Sequence, residues 1–224
     1  MTDLLPAAVL WDMDGTLVDT EPYWLAAEAE LVASFGGIWT EEDGLTLVGS
    51  GLWHAAGILQ HRGVELTEDE IVDRLTDRVM EQIKTGVAWR PGALELLSEL
   101  RGAGIPTALV TMSIRRMAEH VSSFIPFTAF DHIVAGDSVT HSKPHPEPYL
   151  RGAELLGVNA VQCIAIEDST TGLASAVAAG AVAIGVPLHS PLEHGRGYTI
   201  WPTLTGRGIP DLSELLQSTR TDAA

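Results

Sequence analysis

The stretch Val9 to Thr20, VLWDMDGTLVDT, constrains the fold more than any other part of this chain. An apolar run, Ala7 to Trp11, stops at two aspartates one residue apart, Asp12 and Asp14, which Gly15 and Thr16 follow. A short, uninterrupted apolar run closed by turn residues reads as a buried strand that delivers carboxylates at its C-terminal end. Asp12 and Asp14 stand at i and i+2, so in regular strand geometry they share one face, which suits a hard cation such as Mg²⁺. Gly15 lets the backbone leave the strand sharply. Asp-x-Asp-Gly also opens ordinary turns, and Asp-x-Asp opens EF-hand calcium loops. The calcium loop needs Gly at its sixth position and Glu at its twelfth; Leu17 and Tyr23 occupy them here, which excludes it.

From about residue 20 to 87 the pattern is helical. Pro22 suits a first helical turn, and Trp24, Leu31 and Phe35 repeat at helical spacing before Gly36 and Gly37. Thr40 to Asp43 and Thr67 to Glu70 fit the capping box, and the second opens a helix with Ile71, Leu75, Val79 and Ile83 at four-residue steps. Beyond Pro91 helices and strands alternate. We read helices over 92–101, 114–122, 146–156 and 170–179, and strands over 106–111, 132–135, 161–166 and 181–185. Short apolar strands between helices imply a parallel sheet covered on both faces. The first strand must join that sheet to satisfy its backbone groups. The expected fold is therefore α/β, a doubly wound parallel sheet formed by residues 1–18 and 88–224, with a small helical module, 19–87, inserted into it. The tail beyond Pro187 is rich in Gly, Pro and polar residues, with a terminal helix expected at Leu212 to Leu216.

In such sheets ligands bind outside the carboxyl ends of the strands. Four positions converge there: Asp12 and Asp14; Thr111, leading to Ser113; Glu167 and Asp168; and Lys143 in the loop SKPHPEPY. The segment DMDGTLVDT, then Thr111, then Lys143 in KPHPEPY, then Glu167-Asp168 in IEDSTTG, resemble in order the four motifs of the haloacid dehalogenase superfamily. The resemblance covers residues 7 to 187. The inserted helices resemble that family's C1 cap, and the subgroup is similar to the sugar-phosphate phosphatases and β-phosphoglucomutases.

This resemblance implies a catalytic set of Asp12, Asp14, Thr111 and Lys143, with Mg²⁺ held by Asp12, Asp168, Glu167 and the backbone carbonyl of Asp14. A carboxylate nucleophile and a phosphate ester repel each other, so attack by Asp12 requires a cation that screens both. Thr111 and Lys143 would bind the phosphoryl oxygens, and Asp14 would serve as general acid and then base. Asp19 and Thr20 are expected to orient Thr16 and the exit loop. The activity implied is a Mg²⁺-dependent phosphatase of a small phosphorylated metabolite, a sugar phosphate foremost, working through an aspartyl phosphate; the alternative is a β-phosphoglucomutase-type phosphomutase. Two features weigh against the mutase. Its relatives carry a His twelve residues after the nucleophile, where this chain has Trp24, and an Arg that grips a second phosphate, whereas the loop Leu47 to Trp53, LVGSGLW, has no basic residue. The missing Arg also favours a substrate with a neutral distal end. Haloalkanoate dehalogenation is disfavoured because that branch lacks the aspartate that Asp14 supplies. Phosphonate cleavage needs a Schiff-base Lys in the cap, which holds only Lys84.

The net charge of −17 over 224 residues opposes binding to nucleic acid or to an anionic membrane. Cys163 is the one cysteine and sits in an apolar run, so no disulfide framework forms and a small core residue is expected. No basic-then-apolar leader or membrane-length apolar segment is evident, so the expected setting is cytoplasmic, and the acidic surface favours a monomer.

Overall fold

The computed structural model describes residues 4–195 and 197–222, with side chains through 219. Six parallel strands form one sheet in the order β3-β2-β1-β4-β5-β6. They are β1 (Ala8–Trp11), β2 (Thr107–Val110), β3 (His132–Val134), β4 (Cys163–Glu167), β5 (Val182–Gly185) and β6 (Tyr198–Ile200). Helices α1 (Glu21–Ser34), α2 (Glu41–Leu45), α3 (Leu52–His61) and α4 (Glu68–Ile83) intervene between β1 and α5 (Ala93–Gly102). Then α6 (Arg115–Ser122), α7 (Glu147–Leu155) and α8 (Thr170–Ala178) alternate with strands, and α9 (Ile209–Asp222) ends the described chain.

The four strands and four helices expected after Pro91 lie within two residues of their observed bounds. Both capping boxes form: the Thr40 and Thr67 hydroxyls accept the N–H groups of Asp43 and Glu70, whose carboxylates accept back from the two threonine backbones. Two features differ from expectation. The terminal helix is longer than Leu212 to Leu216, and a sixth strand, β6, lies in the segment read as a coil tail. That strand has three half-buried residues close after glycine, too few to show an apolar run.

All four β1 residues are buried, Val9 and Trp11 in the larger core and Ala8 and Leu10 in the smaller one on the opposite face. On that second face Ala8, Ala108, Ala165 and Ala183 present little volume, which lets α7 pack close. A Cβ on Gly152 of α7 would lie 3.1 Å from Val110. The Cys163 thiol is buried there, and desolvation pushes it up to about 12.

The helical insertion leaves and rejoins the sheet through adjacent segments. The Asp19 N–H donates to the Ala88 carbonyl (2.8 Å), and the Arg90 N–H donates to the Leu17 carbonyl (3.0 Å). Within the insertion α1 packs on α4 and α2, and α4 packs on α3.

Candidate active site

The order of strand addition reverses at β1: β2 and β3 are laid down on one side of it, β4 to β6 on the other. The crevice at such a switch point is where open α/β sheets bind ligands. Asp12 follows β1, Glu167 ends β4 and Asp168 follows it, Thr111 follows β2, and the loop after β3 brings Lys143 beneath them.

Lys143 is 6% exposed and its ammonium is fully engaged. Nζ donates to Asp12 Oδ1 (2.7 Å), to Glu167 Oε1 (2.6 Å) and to the Val110 carbonyl (2.9 Å). The loop carrying it is tied down from the start of α7. Glu147 accepts the N–H groups of Thr140 (2.7 Å) and His141 (2.9 Å) and bonds His141 Nδ1 (2.7 Å), while Ser175 Oγ donates to the His145 carbonyl (2.6 Å). A lysine is thereby delivered to a buried position on rigid supports.

Asp12, Glu167 and Asp168 form a buried cluster whose ligand atoms lie within 4.8 Å of one another. The three differ in how free they are. Glu167 is fully buried, and besides Lys143 it accepts from Tyr149 Oη (2.6 Å) and Ser169 Oγ (3.2 Å). A Cβ on Gly172 would lie 2.0 Å from its carboxyl carbon, so α8 closes over it. Asp12 keeps one oxygen that Lys143 does not hold, and Asp168 lies against the backbone of Gly15, where φ is +83°. A Cβ on Gly15 would overlap the Asp168 carboxylate, so the turn requires glycine both for its sign of φ and for space. Desolvation, followed by repulsion from Glu167, raises Asp12 to about 7 although Lys143 opposes it. Desolvation and then Asp12 raise Asp168 well above the usual range. Ionised together, three carboxyl groups would outnumber the one ammonium, an imbalance that a bound cation would offset, and every donor is a hard oxygen, which fits Mg²⁺.

Asp14 sits apart from that cluster. Its Oδ1 accepts from Thr20 Oγ1 (2.5 Å) and Trp24 Nε1 (3.4 Å), its Oδ2 from Ser113 Oγ (2.7 Å) and Thr111 Oγ1 (3.1 Å). The chain has left the strand after Trp11, so the i, i+2 rule no longer governs where the two carboxylates point. Several expectations change accordingly. Thr20 bonds Asp14 and not Thr16, whose hydroxyl has no partner among the described residues; Asp19 bonds His189 Nε2 (2.8 Å). Thr111 is fully buried and turned onto Asp14, whereas Ser113 lines the pocket. Sequence reasoning placed Ser113 at this strand end but gave it no role; the structure puts its hydroxyl on Asp14, three positions after β2 ends.

The pocket above these groups is closed from the insertion by Glu21, Trp24 and Glu28 of α1 and by Leu47, Val48, Gly49, Ser50 and Leu52. A Cβ on Gly49 would lie 3.1 Å from Ser169, so this loop approaches the sheet edge closely. Glu28 is buried, accepts from Trp39 Nε1 (3.0 Å), and is raised by desolvation to about 7. A carboxyl raised in the folded state adds stability that is complete below its unfolded value near 4.5 and is lost as pH rises through 7. Metal-free protein is expected to melt higher at pH 5.5 than at pH 8. Glu28→Gln keeps an acceptor for Trp39 and should remove about 1 to 3 kcal/mol of that difference. A melting-temperature gap between the two pH values that is unchanged in the variant contradicts this account.

A family model described as haloacid dehalogenase-like hydrolase matches residues 9–186. Protein CbbY of Rhodobacter capsulatus is 35% identical over 221 residues, covering 92% of this chain and 93% of that one. Hexitol phosphatase B of Escherichia coli (strain K12) is 30% identical over 188 residues, covering 80% and 83%. Among solved structures, CbbY from Rhodobacter sphaeroides in complex with phosphate superposes with a TM-score of 0.83 at 29% identity, covering 92% of this chain and 98% of that one. Motif order, strand-end placement and these matches agree: the chain belongs to the haloacid dehalogenase-like hydrolase family.

Proposed function

We propose that this chain is a Mg²⁺-dependent phosphatase that hydrolyses a small sugar or sugar-alcohol phosphate through an aspartyl phosphate on Asp12. The observation that carries the proposal is the separation of two aspartates two positions apart: Asp12 in the acidic cluster beside Lys143, Asp14 in a shell of hydroxyls and an indole. Different surroundings give different roles. The bound phosphate of the CbbY structure and the name of the hexitol phosphatase support the substrate class.

The Asp12 oxygen not held by Lys143 attacks phosphorus. The O–P bond to Asp12 forms as the ester P–O bond breaks, and the leaving alkoxide takes a proton from Asp14. Thr20, Thr111 and Ser113 hydroxyls can accept as well as donate, so the same shell holds Asp14 protonated or ionised. Asp14 then removes a proton from water, which attacks phosphorus, and the bond to Asp12 breaks to release phosphate. Lys143 offsets the negative charge around Asp12 and the incoming phosphoryl group. Asp12, Asp168 and the Asp14 carbonyl would hold Mg²⁺, with Glu167 acting mainly through Lys143; the bound ion supplies positive charge where the carboxylates and the phosphoryl oxygens meet. Helices α1 to α4 act as the cap over this centre.

The testing experiment follows released phosphate, with Mg²⁺ present and after chelation, together with the melting temperature. Turnover of sorbitol 6-phosphate is expected only with Mg²⁺, and Mg²⁺ should raise the melting temperature of the wild type but not of Asp168→Ala. Supplied with β-glucose 1-phosphate and β-glucose 1,6-bisphosphate, the enzyme should release phosphate faster than it forms glucose 6-phosphate. Isomerisation outpacing release would establish the mutase instead, and metal-independent turnover would remove the cation from the mechanism.

A further inference from the structure

The proposed chemistry leaves two carboxyl groups of the pocket unused. Glu21 and Glu28 stand seven residues apart on α1 with Trp24 between them, a spacing that puts all three on one helix face. All three line the pocket that also exposes Asp12 and Asp168. The Glu28 side chain has one oxygen, Oε2, on Trp39 Nε1 (3.0 Å). The Glu21 carboxyl has no hydrogen-bond partner among the described residues. The indole N–H of Trp24 is taken by Asp14.

Helix packing does not account for this pair. Burying an acid without full compensation costs free energy that Gln or Leu at the same position would avoid. Nor does an ion pair account for it, since Lys143 is the single Lys, Arg or His among the residues that line the pocket, and it is committed to Asp12 and Glu167. Desolvation comes first in raising Glu28 to about 7 and Glu21 to about 8, with repulsion from Glu28, Asp14 and Asp19 adding to the latter. Near neutrality such groups keep a proton part of the time and both donate and accept, as an alcohol does. A second phosphate or a carboxylate on the substrate would meet only acids at this end of the pocket.

We propose that Glu21 and Glu28 bind hydroxyl groups at the non-phosphorylated end of the substrate, which makes an uncharged polyhydroxylated monophosphate the preferred substrate class. This rests on the phosphatase reading above, and the test separates the two. Two substrates are compared: sorbitol 6-phosphate, and p-nitrophenyl phosphate, whose far end has no hydroxyl. For Glu21→Leu and Glu28→Leu the ratio of kcat/KM for the first to that for the second is expected to fall at least tenfold. Glu21→Gln and Glu28→Gln should restore the ratio to within about threefold of wild type, because an amide also donates and accepts. Gln at 28 keeps an acceptor for Trp39, so a wild-type melting temperature in that variant guards against misfolding as the cause. A ratio within twofold of wild type in both Leu variants overturns the assignment, and so does faster wild-type turnover of phosphoethanolamine than of sorbitol 6-phosphate, since the pair would then read positive charge. Failure of the wild type to hydrolyse either of the first two substrates with Mg²⁺ defeats the phosphatase reading itself.

Discussion

Asp12→Asn is expected to lower phosphate release by about 10⁴-fold or more while leaving the protein folded. An amide oxygen is a poor nucleophile toward phosphorus, and the neighbours of Asp12 cannot replace it: Glu167 is sealed under α8, and Asp14 is held by four donors on the other side of the exit turn. Stability should move the other way from activity. Asp12 is a desolvated acid repelled by Glu167, so making it neutral relieves the acidic cluster, while Lys143 keeps Glu167 and the Val110 carbonyl. The metal-free variant should therefore melt at or above the wild-type temperature. Retention of more than a few per cent of activity would exclude Asp12 as the nucleophile, and a lower melting temperature would contradict the electrostatic account of the cluster.

Lys143→Met should be costly on both counts. Removing one member of a buried ion pair leaves the others uncompensated, which typically costs about 3 to 5 kcal/mol. For a chain of this size that lowers the melting temperature by roughly 10 °C. Activity is expected to fall about 10²- to 10³-fold, as when a preorganised charge donor is lost. Glu167→Gln in the same protein should recover part of the stability, because it deletes the carboxylate that Lys143 would otherwise neutralise. A single variant that melts within 2 °C of wild type would show that the Lys143 ammonium offsets no buried negative charge in this cluster, and the electrostatic argument for Mg²⁺ would fall with it.

The parts of the site that were legible in sequence are those where a strand ends. An apolar run fixes the strand, the strand fixes its carboxyl end, and so Asp12 and the Glu167-Asp168 pair could be placed beside each other from a list of runs. The shell around Asp14 was not legible, because Thr20, Trp24, Thr111 and Ser113 meet only after the insertion has folded back over β2. Glu21 and Glu28 were equally hidden. An acid in a helix reads as a solvated surface residue, and nothing local distinguishes a helix face that looks into a pocket from one that looks into water. The sixth strand failed for another reason: three half-buried residues carry no periodicity, and β6 forms because β5 offers it a free edge.

The paired segments at residues 17–19 and 88–90 have a consequence for how such a protein changes. Because the insertion enters and leaves within one hydrogen-bonded step, a folded insertion of another size can bridge the same two segments, and the closure cost to the core grows only slowly with the length between them. The Arg90 guanidinium anchors the return segment by donating to the Pro187 carbonyl (3.1 Å), on the sheet side of the junction. The junction is thus a natural splice point. Exchange of the insertion at this junction would replace Glu21 and Glu28 while Asp12, Lys143 and Asp168 stay on the sheet, but the new first helix would have to supply again the two donors that Thr20 and Trp24 give Asp14.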